Sequence, residues 1–189
     1  AILIDGEWQA SMVADNGAGS DCDLTFDNQD TPHIAYSVNA SSQVMHAAFI
    51  NGGWNNIVIA QDIGFSFLNS RPFSIKFSSQ GQLGLAYYDA REDDLKYATY
   101  NDFNNSWQNQ TLDSNNNTGE YPSLAYDSNG NPAIAFMKEI TNIQSHLAFI
   151  AHDGQSWQAV ETIDNQAKAG KFAQLVFDNN DTPYITYRN

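Results

Sequence analysis

Cationic residues are scarce in this chain. Eight Lys and Arg stand against 22 Asp and Glu, giving a formal charge of −14 over 189 residues. Such a field repels nucleic acid and anionic membrane surfaces, so neither is an expected partner. Cysteine occurs once, at Cys22, which excludes a disulfide within the chain and any thiolate metal set. No His or Lys stands beside it to lower its pKa, so Cys22 reads as a small, half-buried strand residue and not a nucleophile. Long apolar runs are also missing. None approaches the ~20 residues needed to cross a bilayer as a helix, and mean hydropathy is −0.46. No stretch sustains the three-to-four-residue apolar period of a helix. Metal and catalytic signatures are lacking as well: there is no His-x-His, no His-Glu-x-x-His and no Asp-x-Asp-x-Asp-Gly. His33, His46, His146 and His152 are scattered. His46 and His146 sit at similar points of a repeat, which favours packing over zinc binding.

What the chain does have is aromatic residues, 13% of the total within a 42% hydrophobic composition. They recur with a period. Trp8, Trp54, Trp107 and Trp157 are 46, 53 and 50 residues apart, and Phe26, Phe77, Tyr126 and Phe177 are 51, 49 and 51 apart. A period near fifty in a strand-rich sequence marks stacked or radially arranged units. Each unit has four short strands, A to D. Strand A closes on Asp or Ser (22–27, 73–78, 121–127, 172–178). A polar turn rich in Asn, Asp and Gly follows, and in three units Pro opens strand B. Strand C runs into a turn that ends on the Trp, and strand D follows it.

The fourth unit is split between the chain ends. Strands C and D lie in 1–13, with D placed at 9–13, and strands A and B lie in 172–189. The units are then 22–60, 72–112, 121–163 and 172–189 plus 1–13, in one domain spanning 1–189. The expected architecture is all-β: a β-propeller of four four-stranded antiparallel blades, the last closed by pairing the N- and C-terminal half-blades, which leaves only protected edges. The alternative is two chains forming an eight-bladed ring, so a homodimer is a candidate state. The tryptophans are expected to pack each blade's outer part.

On the run 122–136 (PSLAYDSNGNPAIAF), the segment 94–98 (DLKYA) and the Asp-Gly turns that end in Trp, the chain resembles bacterial β-propeller repeats of the sialidase-like and lectin-like kind. The resemblance covers nearly the whole chain. The Ser or Thr that precedes the turn in a sialidase Asp box is absent, with Ile4 before Asp5 and Ala151-His152 before Asp153. The resemblance therefore implies a fold and not an activity.

In that fold, ligands approach the face built from the D–A loops (14–21, 61–71, 113–120, 164–171) and the B–C loops (37–43, 89–94, 138–145). Arg71, Arg91, Lys138, Lys168, Lys171 and Arg188 fall in or beside those loops, and only Lys76 and Lys96 lie within strands. Arg71, Arg91 and Lys138 are the candidates for anionic groups. Phe65 and Phe67, in a loop that the other units lack, are the candidates for apolar contact. The acidic stretch 89–94 would supply Asp89 and Asp93 as proton-transfer groups if the protein were a glycosidase, which needs two carboxylates across a sugar. The leading expectation is a non-catalytic extracellular module that recognises glycan or a protein surface. A polysaccharide-directed glycoside hydrolase or lyase is one alternative, and a structural repeat of a larger surface protein is another. No cofactor is implied, although clustered Asp and Asn oxygens make calcium a candidate. Abundant Asn and Gln, few lysines and an N-terminal Ala1 point to a secreted, cell-surface or periplasmic protein, with a removed leader or excision from a longer precursor both accounting for Ala1. Asn39, Asn104, Asn109 and Asn116 begin glycosylation-type triplets, at a frequency an Asn-rich chain reaches by chance.

Overall fold

The computed structural model describes residues 1–15, 18–64, 72–141 and 143–189. The chain opens with a hairpin, β1 (Ile2–Ile4) and β2 (Glu7–Gln9). Three four-stranded antiparallel sheets follow in sequence order. The first holds β3 (Ala18–Phe26), β4 (Pro32–Val38), β5 (Gln43–Ile50) and β6 (Gly53–Ala60). The second holds β7 (Phe73–Phe77), β8 (Leu83–Asp89), β9 (Asp94–Asn101) and β10 (Ser106–Asp113). The third holds β11 (Thr118–Tyr126), β12 (Pro132–Thr141), β13 (Gln144–Ala151) and β14 (Glu161–Asp164). The chain ends in a pair, β15 (Lys171–Phe177) and β16 (Pro183–Arg188). Besides strands, the described residues contain a single 3-10 turn, Asn39–Ser41.

The residue that closes strand A explains the first turn. Asp27 Oδ1 accepts the backbone N–H groups of Gln29 and Thr31, both at 2.8 Å. Asp178 does the same for Asn180 and Thr182, and Ser78 Oγ takes the N–H groups of Gln80 and Gln82. A short acceptor at that position satisfies two backbone donors and fixes the reversal. The turn tryptophans pack as expected in the complete sheets. Trp54 meets Phe49 at 5.3 Å, Trp107 meets Tyr100 at 5.3 Å, and Trp157 meets Tyr97 at 5.1 Å, ring centre to centre. Trp8 is the exception, 73% exposed.

The inner strands β3, β7, β11 and β15 stand side by side in chain order. The core lies between successive sheets. Ile75, Leu85 and Tyr87 of the second sheet pack on Ala35, Val44 and Ile59 of the first. Leu124, Ile134 and Phe136 of the third pack on Ala86, Leu95 and Tyr97 of the second. Leu175 and Ala173 pack on Ala133, Ala135 and Leu147. Each large aliphatic residue buried in this way contributes roughly 1.5–3 kcal/mol.

Gly84 occupies a tight point in the second interface. A Cβ there would overlap the Tyr126 hydroxyl and lie 2.6 Å from that of Tyr97, and the two hydroxyls bond each other at 2.9 Å. Gly84→Ala is expected to cost about 2 kcal/mol as overpacking. In a chain of this size that lowers the melting temperature by roughly 4–8 °C in thermal unfolding.

Three expectations need correction. The chain ends do not share a sheet: β1–β2 and β15–β16 are separate two-stranded sheets. Different neighbours hold the segments beside them: Asn56 Nδ2 of the first sheet donates to Val13 O, after the hairpin, at 3.3 Å, and the Ser128 N–H of the third sheet's turn donates to Asp181 Oδ1 of the end pair's turn at 2.7 Å. Strand D of the split unit is Glu7–Gln9, not 9–13, because the short turn at Asp5 and Gly6 returns the chain directly onto β1. Cys22 is exposed, not half-buried. It shares the outward face of β3 with Leu24 and Phe26, which are 49% and 53% exposed among the described residues.

Candidate functional site

The loops that enter strand A help to line a cavity on the loop face. Two of them repeat a backbone device. Gly119 and Gly170 both adopt φ +104, and a Cβ would stand 2.7 Å from Leu95 Cα at the first and 2.8 Å from the His146 carbonyl at the second. Only glycine fits that approach. Two residues later Tyr121 and Phe172 take φ 52 and 53, a left-handed conformation that aromatic residues rarely hold and that concentrates at functional sites. Their rings meet at 4.7 Å, and the Arg188 guanidinium lies 5.0 Å over Phe172. Glu120 and Lys171 stand between glycine and aromatic in the two loops.

Beside this pair lies a cavity of about 310 Å³ lined by Glu120, Tyr121, Met137, Glu139, Thr141, Ile143, Gln144, Ser145, Lys168 and Lys171. Burial pushes the Glu120 carboxyl above its ordinary range; the Glu139 and Asp93 charges add to this, while Asn117 and Lys171 oppose it. Asn117 Nδ2 donates to Glu139 Oε2 at 2.8 Å, and the Tyr88 hydroxyl donates to Asp93 Oδ1 at 2.8 Å. The lining thus combines two carboxylates, Glu120 and Glu139, with two ammonium groups, Lys168 and Lys171; Met137 and Tyr121 are its buried apolar members and Ile143 an exposed one. It offers both donors and acceptors to a polyhydroxylated ligand, with a surface for an apolar ring face.

The sequence-level candidates divide. Lys138 is not free: its ammonium lies 2.6 Å from Asp113 Oδ2, and the two side chains are 15% and 3% exposed. Asp89 is likewise held, with Lys96 Nζ at 2.6 Å on Oδ2 and the Arg91 N–H on Oδ1. Asp93 joins the electrostatic neighbourhood of Glu120, so the two acids taken as partners serve different networks. Arg91 keeps an exposed guanidinium, with Nη1 donating to the Asp62 carbonyl at 3.3 Å. Arg71, Phe65 and Phe67 lie outside the described residues. Among the described residues no group of three or more His, Cys, Asp or Glu is arranged to hold a metal ion, and no helix is long and apolar enough to cross a membrane. Sequence reading missed Glu120 and Glu139. Counting back from the residue that closes strand A would have found the first, because Ser20, Arg71, Glu120 and Lys171 hold one repeat position in the sequence, seven before Asp27, Ser78, Asp127 and Asp178.

Solved structures resemble this arrangement. An α-L-arabinofuranosidase from Clostridium thermocellum overlays 89% of the chain with a TM-score of 0.55 at 12% identity, the match covering 60% of the enzyme. A xylan β-1,4-xylosidase from Bacillus halodurans overlays 91% with a TM-score of 0.53 at 17% identity, covering 38% of the enzyme. A fucose lectin from Kordia zhangzhouensis, solved with methyl-fucoside, overlays 76% with a TM-score of 0.52 at 14% identity, covering 99% of the lectin. The chain has a β-propeller fold. At these identities the likeness extends to the fold alone, and the chain spans less than two thirds of the length of the two enzymes. No family model and no curated protein matches the sequence.

In propeller terms, each four-stranded sheet is a blade and the two end pairs are half-blades. The cavity lies on the loop face between the third blade and the C-terminal half-blade.

Proposed function

We propose that this chain is an exported, non-catalytic carbohydrate-binding module whose ligand occupies the loop-face cavity. The observation that carries this reading is the lining itself. Lys168 and Lys171 donate, Glu139 and Gln144 accept, and Tyr121, Met137 and Ile143 receive the apolar face of a sugar. The two most buried carboxylates of this face, Asp89 and Asp113, are neutralised by lysines and serve the scaffold. Overlay of nearly an entire lectin supports a reading in which a chain of this size binds without a second domain. Arg91, an exposed guanidinium 3.8 Å from Glu92 on the same loop, is a candidate for an anionic substituent, and Arg71, Phe65 and Phe67 join it on sequence grounds. Lys138 acts indirectly, by anchoring Asp113. The module needs no cofactor, so chelation of calcium leaves its affinity unchanged.

The test is a glycan array followed by calorimetry on the best ligand, with product analysis on the same mixture. Binding without product is expected. Lys171→Ala and Glu139→Gln should each weaken it about tenfold, the value of one charge-assisted hydrogen bond. Release of shortened sugar would overturn the reading in favour of a glycoside hydrolase. That alternative rests on Glu120, whose raised pKa beside the Glu139 carboxylate is the pattern of a general acid. Glu120→Gln would then abolish turnover while leaving binding intact.

A further inference from the structure

Another cavity opens on the face opposite the loops, between the first and second blades. It holds about 410 Å³, within the range of small-molecule sites. Its walls are the turns after β3, β5 and β9, with the ends of the strands that those turns join. Every wall therefore belongs to a complete blade.

The repeat shows what is unusual about this place. Ala35 faces His46 in the first blade as Ala86 faces Tyr97 in the second. His33 stands two residues before Ala35, and Gly84 two before Ala86. Between the second and third blades, the Tyr97 and Tyr126 hydroxyls occupy the space over Gly84 and bond each other at 2.9 Å. Between the first and second, the shorter imidazoles of His33 and His46 take these positions, and Phe77, without a hydroxyl, takes the place of Tyr126. Both imidazoles line the cavity. His46 is 2% exposed, and its Nδ1 has no hydrogen-bond partner among the described residues. Buried polar atoms are ordinarily satisfied, by a bound group where no protein atom serves.

The chemistry of the lining selects the ligand. It carries two carboxylates, Asp27 and Asp102, and no lysine or arginine. Both act electrostatically on His33, which places them around one point. Asp27 Oδ1 is committed to its turn, but Oδ2 lies 3.7 Å from His33 Nε2, beyond hydrogen-bond reach. Asp102 is exposed and forms no hydrogen bond or ion pair among the described residues. Burial keeps both histidines neutral at neutral pH, so nothing in the lining offsets the two charges. Phe49, 39% exposed, and Tyr100 supply aromatic surface, which attracts cations. The side-chain amides of Asn51 and Asn55 bond nothing else among the described residues. The loop-face cavity differs on the deciding point, because it brings its own lysines.

We propose that this cavity is a ligand site of its own and takes an amino sugar, a hydroxylated ring bearing a protonated primary amine. The ammonium pairs with Asp102 and Asp27, the ring rests on Phe49 and Tyr100, and the amides of Asn51 and Asn55 meet the hydroxyls. The net charge of −14 draws such a cation to the surface. The site does not depend on what the loop-face cavity binds.

The test is a titration followed through the histidine ring signals by NMR, at neutral pH and low salt. The probes are glucosamine, N-acetylglucosamine and putrescine. Glucosamine should shift the His33 and His46 signals to saturation. N-acetylglucosamine keeps the ring and loses the charge, and putrescine keeps the charge and lacks the ring; each should bind about tenfold more weakly or worse. Asp102→Asn should weaken glucosamine about tenfold, the value of one charge-assisted hydrogen bond. It should leave the melting temperature unchanged, because Asp102 is exposed and bonds nothing. Equal affinity for N-acetylglucosamine, or no effect of Asp102→Asn, would overturn the ammonium site. Equal affinity for putrescine would overturn the sugar and leave a polyamine site in its place. Glucosamine that leaves both histidine signals unmoved, whatever it does at the loop face, would remove the site altogether.

Discussion

Lys138→Met is expected to destabilise the protein by about 3–5 kcal/mol, the usual cost of stranding one member of a buried ion pair. Asp113 accepts Lys138 Nζ at 2.6 Å, Thr118 Oγ1 at 2.9 Å, and the Asn115 backbone and side-chain N–H groups at 3.1 and 2.9 Å. Burial alone would raise its pKa, but these donors outweigh burial and hold it below the ordinary value. The carboxylate therefore stays charged in the native state because the ammonium is there. Methionine fills the lysine stem's volume and removes only the charge. A domain with 5–15 kcal/mol in reserve loses a large part of it. Urea denaturation should show the midpoint falling with the slope unchanged. The double variant Asp113→Leu with Lys138→Met should recover much of the loss, since an apolar pair of similar volume strands no charge. A single-variant loss below about 1 kcal/mol would mean the pair is solvated like a surface bridge and would return Lys138 to the list of ligand contacts.

The same pair shows what the sequence could and could not reveal. The turn after strand A was legible because one residue makes it: Asp27, Asp178 and Ser78 each bind two nearby backbone N–H groups, a contact confined to five residues. The strand order of each blade was legible for a similar reason, since neighbouring strands are joined by short turns. The site was not. Asp89 and Asp93 differ by four positions in one acidic stretch, and nothing local says that Lys96 will neutralise the first while Tyr88 donates to the second. Lys138 looked available because its partner, Asp113, comes 25 residues earlier on another strand. Glu120 and Glu139 meet across two strands, with their link running through Asn117. The exposure of Cys22 and Leu24 was hidden for a further reason. Their repeat positions are buried elsewhere, and whether they are buried here depends on a neighbour that the chain does not place beside them.

Stability should fall as pH drops from about 6.5, well before the carboxylates titrate. His46 is 2% exposed, and burial, with the charge of His33 second, pushes its pKa down to about 3 from an ordinary 6.5. His33 is lowered by burial too, against the opposing pull of Asp27 and Asp102. The rings stack at 5.0 Å, with His33 Nδ1 2.9 Å from His46 Nε2 and His33 Nε2 3.7 Å from Asp27 Oδ2. Asp27 favours the proton on His33 Nε2, leaving Nδ1 to accept from His46 Nε2–H, a bond that exists only while His33 is neutral. Trp107 and Tyr100 pack against His46 edge-on, both at 5.4 Å between ring centres. The unfolded chain takes up a proton on His46 below pH 6.5 and the native chain does not until about 3. Their contribution to stability is therefore complete above the unfolded value and is lost progressively as pH falls through this window. One such proton is worth about 1.4 kcal/mol per pH unit, so roughly 2–3 kcal/mol disappears between pH 6.5 and 4.5 from His46 alone, and His33 adds in the same direction. Glu120 works the other way: its raised pKa makes the native state bind its proton first, so acid favours folding there. The histidines should dominate because their window lies higher. Urea titrations at pH 7.5, 6, 5 and 4.5 should trace the fall. His46→Phe should start from a lower plateau, with His33 Nδ1 unpaired, but its stability should decline with a slope about one proton shallower. Parallel curves for the two proteins would mean that native His46 protonates freely, and the neutral buried pair would have to be abandoned.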